Sequence, residues 1–223
     1  MILDQIELIV LDMAGTTVGD TFSVHDSMIS AFKAHGFEID RTIASNVLAV
    51  PKPIGIQFIL ENQFQIQDAA LLDSIHQSFQ IFMNDYYETN ENVHETKGTT
   101  QFFNELKNRN IKIALDTGFV SKTASLVVKR LNWVDCLDAV VTSDEITKGR
   151  PNPDMIYKAM EETRVSDVQK VIKVGDTPAD MKQGKNAGCK WVIGVNSGAF
   201  SEEELLNSGA DIIVTYPAEI LNL

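Results

Sequence analysis

Six short, β-rich apolar runs limit how this chain can fold: Leu8 to Leu11, Ile111 to Leu115, Ala139 to Val141, Val171 to Val174, Trp191 to Val195 and Ile212 to Val214. Runs this short and this apolar suit strands buried on both faces. From the second run onward they alternate with amphipathic stretches, Ser121 to Leu131, Pro153 to Thr163, Pro178 to Ala187 and Ser201 to Asn207. That alternation predicts βαβ units and an α/β fold built on a doubly wound, Rossmann-like parallel sheet.

The first run stands apart, because roughly a hundred residues of helical pattern separate it from the second. An inserted helical cap domain accounts for the gap, with the core expected at 1–18 and 95–223 and the cap at 19–94. Ser23 with Asp26 reads as a capping box opening a helix to His35, closed by Gly36, and Asp40 as the cap of a second helix. Pro51 and Pro53 are expected to break the chain before a third helix, Ile54 to Gln63. A long periodic segment from Asp68 to about Tyr87 supplies the fourth.

Composition narrows the function classes. The 223 residues hold 19 Lys plus Arg against 31 Asp plus Glu, a net charge of −12. A surface this acidic repels phosphate backbones and anionic lipid, so neither nucleic acid nor membrane is an expected partner. No apolar run approaches the ~18 residues of a membrane span. The N-terminus lacks a basic region before its early Asp4, so it does not read as a secretory signal and a cytoplasmic location is expected. Cys136 and Cys189 form no metal-binding spacing and read as reduced, packed thiols.

In open α/β sheets ligands bind beyond the carboxyl ends of the strands. Asp12-Met13-Ala14-Gly15-Thr16-Thr17 follows the first run, Asp116-Thr117-Gly118 the second, Lys148-Gly149-Arg150-Pro151 the third and Gly175-Asp176-Thr177-Pro178-Ala179-Asp180 the fourth. A carboxylate can attack phosphorus if a cation neutralises the crowded charge. Asp12 and Asp176, with Asp180 and the Ala14 carbonyl as further candidates, offer the hard oxygens that Mg²⁺ prefers. Thr117, Arg150 and the amides around Gly15, Thr16 and Gly118 can hold phosphoryl oxygens. Each residue also has a plainer reading. Asp12 and Thr117-Gly118 suit ordinary turns, Arg150 suits a solvated loop with Lys148 as its alternative, and Asp180 suits a capping box with Thr177. The order and spacing of all four segments together are what the plainer readings leave unexplained.

Those four segments resemble, in order, the motifs of the haloacid dehalogenase superfamily. The resemblance implies Asp12 as nucleophile, catalytic Thr117 and Arg150, and Mg²⁺ held at Asp12, Ala14, Asp176 and Asp180. Ala14 stands where most superfamily phosphatases carry an acid/base Asp, and Arg150 stands where Lys is usual. Both departures, with Lys173-Val174-Gly175-Asp176-Thr177, resemble the phosphonatase-like branch. Lys52-Pro53-Ile54-Gly55 is similar to that branch's cap motif, but Phe58 occupies the position of its imine-forming lysine. His25, near the first cap helix, resembles a histidine of some sugar-phosphate members, and with Phe22, Ile54 and Phe58 is a candidate for substrate recognition.

The expected activity is Mg²⁺-dependent hydrolysis of a small phosphorylated metabolite through phospho-Asp12. Phosphonoacetaldehyde hydrolysis is the nearest alternative, followed by 2-haloacid dehalogenation and by a binding protein without turnover. A homodimer is compatible with the sequence.

Overall fold

The computed structural model describes residues 1–19, 23–47, 50–197 and 200–223. In chain order the elements are β1 (Leu8–Leu11), β2 (Val18–Gly19), α1 (Ser23–Ala34), α2 (Arg41–Ser45), α3 (Lys52–Phe64), α4 (Ala69–Thr89), β3 (His94–Glu95) and α5 (Thr99–Asn108). There follow β4 (Lys112–Asp116), α6 (Ser121–Arg130), β5 (Ala139–Val141), α7 (Asp154–Thr163), β6 (Val171–Gly175), α8 (Pro178–Ala187), β7 (Trp191–Val195), α9 (Glu202–Asn207) and β8 (Ile212–Val214). They group into two compact units, Met1–Asp20 with Asn92–Leu223, and Thr21–Glu91.

The first unit is an α/β Rossmann-like core. Its six parallel strands lie in the order β5-β4-β1-β6-β7-β8. The chain leaves β1 toward β4 and β5, then returns to β6 on the other side of β1. That reversal opens the crevice in which doubly wound sheets bind ligands. In register, Val10 lies between Ala114 and Lys173. Side chains alternate along a strand, so Asp12, Asp116 and Lys173 share one side of the sheet. Beneath them Leu8, Val10, Ala114, Val171, Met155 and Met181 form the dry floor that fixes the rim. Helix α5 was not anticipated as a separate element, although Phe102, Phe103 and Leu106 repeat at helical spacing and are fully buried. It belongs to this unit.

The second unit is helical. Asp40 caps α2 by accepting from the Ile43 amide at 2.9 Å, and Asp68 caps α4 through the Ala70 and Leu71 amides. Pro53 does not precede α3 but sits in its first turn. A missing N–H costs nothing there, since the first helical amides have no intrahelical acceptor. Helices α1 and α4 pack through Met28, Phe32, Ile75 and Phe79, and Phe64 stacks on Phe32 with ring centroids 6.4 Å apart. Phe22 and the side chain of Ser23 lie outside the described residues. Among those described, no helix is long and apolar enough to cross a membrane.

Candidate active site

Backbone ladders carry the rim residues just past the strand ends. The Asp12 amide donates to the Val174 carbonyl at 3.0 Å, prolonging the β1–β6 pairing, and the Thr117 amide donates to Val141 at 3.0 Å, prolonging β4–β5. The loop after β1 then closes on itself. Met13 O accepts from the amides of Thr16, Thr17 and Val18, and the Gly15 amide donates to Val18 O. The Gly15 and Thr16 amides expected to face substrate oxygens are therefore engaged within the turn. The Thr16 hydroxyl donates to Asp176 Oδ1 at 3.2 Å.

Gly15 is required by this loop. Its φ is +83°, and a Cβ built there would overlap the Asp176 carboxylate. A left-handed non-glycine residue costs about 1–2 kcal/mol. Gly15→Ala should accordingly lower Tm by roughly 2–8 °C in a chain of this size and displace Asp176. Unchanged melting together with unchanged metal response in that variant would contradict the packing.

The ion pairs converge on Arg150. Its Nη1 stands 2.9 Å from Asp12 Oδ1 and 2.6 Å from Asp180 Oδ1. On the Arg150 side, a Cβ at Gly118 would lie only 3.4 Å from Nη2. Lys148, the other cation of this loop, is exposed. Thr117 is buried, and its hydroxyl accepts from the Phe119 amide at 3.1 Å, which leaves its proton free to donate elsewhere.

Of the two roles the sequence left open for Asp180, capping box or metal ligand, the structure shows the capping box, together with two ion pairs. Its Oδ2 accepts from the Thr177 amide and hydroxyl, completing the capping box of α8. Its Oδ1 accepts from Arg150 and faces Lys173 Nζ at 3.0 Å. A carboxylate has about four acceptor positions, and here all are taken. Burial would raise its pKa, but Arg150 and Lys173 outweigh that and hold the carboxyl well below the usual range.

Asp176 is the opposite case. Ser197 and Thr16 donate neutral hydrogen bonds to it, and among the described residues no cation forms an ion pair with it. Burial, reinforced by the charge of Asp180, pushes its pKa up to about 7. Asp12 is also pushed up by burial, with Arg150 opposing and Asp180 and Asp176 adding to the rise. In both carboxylates burial is the largest cause of the shift, and at Asp12 it prevails although Arg150 is paired with it.

Two residues of the network were not given roles from the sequence. Lys173 is wholly buried in β6 and pairs with Asp116, at the end of β4. The available signal was a lysine inside an apolar strand, since lysine is almost never fully buried unless paired. One oxygen from each of Asp12, Asp116 and Asp180 lies within 4.8 Å of the others. Arg150 and Lys173 already stand among these three, so the carboxylate still wanting a cation is Asp176. With all four buried carboxylates ionised, the two cations of the cluster would leave two negative charges uncompensated. A divalent cation fits that deficit.

His25 and Phe58 belong to the helical unit. The His25 ring is within 3.1 Å of the Ser45 hydroxyl, while Phe58 and Ile54 on α3 are 51% and 58% exposed. The two cysteines are free, and burial pushes the Cys189 thiol up to about 12, which makes it unreactive.

The comparisons with known proteins agree with this architecture. The chain is 31% identical over 222 residues to a phosphonoacetaldehyde hydrolase of Bacillus mycoides, covering 91% of this chain and 82% of that protein. Among solved structures, a phosphonoacetaldehyde hydrolase-like protein from Oleispira antarctica superposes with a TM-score of 0.85 at 22% identity, covering 98% and 91% of the two chains. CbbY from Rhodobacter sphaeroides in complex with phosphate gives 0.83 at 20% identity, with 96% of each chain covered. A family profile described as haloacid dehalogenase-like hydrolase matches residues 10–194, and with the rim of Asp12, Thr117, Arg150 and Asp176 it establishes that this enzyme belongs to the haloacid dehalogenase-like hydrolases.

Proposed function

We propose that the enzyme hydrolyses a small phosphorylated metabolite through an aspartyl-phosphate on Asp12, with Mg²⁺ as cofactor. The observation that carries this reading is the asymmetry of the rim: Asp12 is paired with Arg150, while Asp176 on the neighbouring strand end forms no ion pair among the described residues. Asp12, Asp176 and the Ala14 carbonyl would hold the metal, with Asp180 behind them as the anchor of Arg150. When bound, the divalent cation supplies charge neutralisation for the carboxylates and the phosphoryl group.

A carboxylate oxygen of Asp12 attacks phosphorus in line, the bond to the leaving oxygen breaks, and an acyl phosphate forms. Water then attacks that acyl phosphate, releasing inorganic phosphate and restoring the Asp12 carboxylate. Arg150 and the Thr117 hydroxyl are placed to hold non-bridging oxygens as charge builds on them. Substrate recognition is assigned by the family resemblance to the helical unit, through His25 and Phe58. The expected partner is a small phosphorylated molecule.

Ala14 has no carboxyl group with which to protonate a leaving oxygen. General acid catalysis contributes about 10²–10⁴-fold, so acetyl or aryl phosphates should react faster than alkyl phosphates by at least ~10²-fold. Stopped-flow phosphate release across a leaving-group series measures this. A flat series would show that another group supplies the proton.

The curated relatives favour a second reading, phosphonoacetaldehyde hydrolysis. It requires an amine that forms an imine, and Phe58 stands at that position. A screen of phosphorylated metabolites, phosphonoacetaldehyde and a haloacid, with and without Mg²⁺, separates the readings. Phosphate and acetaldehyde release from phosphonoacetaldehyde, with a borohydride-trapped lysine, would establish the second.

A further inference from the structure

We propose that Lys173, held by Asp116, is a positioning residue that sets where the Arg150 guanidinium stands relative to Asp12. The inference rests on the hydrolase reading above, and it concerns two residues that the reading leaves without a task.

Lys173 lies mid-strand in β6 with no solvent exposure, and register places it beside Val10 and one residue pair below the rim. Core packing does not ask for an ammonium there, since apolar replacements of buried ion pairs are often as stable. Its contacts are instead directed. Nζ meets Asp116 Oδ1 on one side and Asp180 Oδ1, 3.0 Å away, on the other. The same Asp180 oxygen takes Arg150 Nη1 at 2.6 Å, and that nitrogen is in turn 2.9 Å from Asp12 Oδ1. Two cations therefore share one oxygen, and the like charges repel.

The balance of that shared oxygen decides how far Arg150 leans toward Asp180 and how far toward Asp12. Asp116 tunes it, because it draws Lys173 away from Asp180. Its second oxygen is buried without a hydrogen-bond partner, so Lys173 is the group that compensates its charge. Removing the Asp116 charge shifts Lys173 onto Asp180 and loosens the hold on Arg150. Removing Lys173 does the reverse and draws Arg150 off Asp12.

The test is steady-state hydrolysis of acetyl phosphate in saturating Mg²⁺ by the wild type, Asp116→Asn, Arg150→Ala and the combination of the last two. A misplacement of about 1 Å can cost ~10²-fold, so Asp116→Asn should lower kcat by ~10²-fold while KM stays within about threefold. Added to Arg150→Ala it should cost nothing further. Losses that multiply, or a change confined to KM, would overturn the proposal. Lys173→Met leaves two buried carboxylates short of a cation and is best read together with Asp116→Asn as a neutral pair. The proposal expects that doubly substituted protein to fold and remain slow, whereas recovery of wild-type kcat would reduce Lys173 and Asp116 to mutual neutralisation and overturn it.

Failure of the hydrolase reading is seen separately, as a wild type that releases no phosphate. The positioning claim is then decided by calorimetric binding of inorganic phosphate, with the same non-additivity against Arg150→Ala expected. A wild type that neither hydrolyses acetyl phosphate nor binds phosphate would overturn both.

Discussion

Asp12→Asn should abolish turnover, with a loss of at least about 10⁴-fold, the scale seen when a nucleophile is removed, while the fold persists. The amide is nearly isosteric with the carboxylate and keeps the backbone bond to Val174 that extends β1. It cannot act as the attacking carboxylate, and it removes one of the two carboxylates paired with Arg150, which keeps Asp180. Burial also penalises the ionised form of Asp12, so the neutral variant relieves a cost and its Tm should not fall. Phosphate release by the purified variant, with deamidation excluded by mass spectrometry, measures the effect. Wild-type rates would reject Asp12 as nucleophile.

Chelation of divalent cations should abolish activity, and Mg²⁺ should restore it. Asp176→Asn and Asp180→Asn are expected to fail differently. Asp176 is the buried carboxylate with only neutral donors, so its loss should weaken apparent metal affinity, by roughly 10–100-fold if it resembles losses at metal sites generally. Asp180 already has all four acceptor positions filled by Arg150, Lys173 and Thr177. Its replacement should leave metal affinity much less affected, but unpairing buried cations typically costs about 3–5 kcal/mol and should show as a lower Tm. Metal titration followed by activity and by calorimetry separates the two. Undiminished turnover in excess chelator would remove the metal from the mechanism and favour the haloacid reading, testable as halide release.

Much of this was legible in the linear order of residues, for a definite reason. Strands of a parallel sheet packed against helices are largely apolar even at its edges, so β1, β5, β7 and β8 appear in the sequence with the bounds they have in the structure. Polar residues directly after such runs necessarily sit on one rim, and that is how Asp12, Thr117 and Asp176 could be grouped without coordinates. Helix α5 was obscured because it follows the insertion, where the alternation that marks the rest of the core is interrupted.

Tertiary structure alone decided how the charges are shared. Thr177 and Asp180 were recognisable as a capping box from their spacing, a local property of four successive residues. That the same carboxylate also receives Arg150 from a loop thirty residues earlier, and Lys173 from within the strand, depends on side-chain reach across β1 and β6. Residue types and their order determined that this chain carries a carboxylate-rich rim on a parallel sheet. Electrostatic interaction depends on distance in space and on burial, neither of which is written in the order of residues, so which carboxylate lacks a cation was decided by the fold.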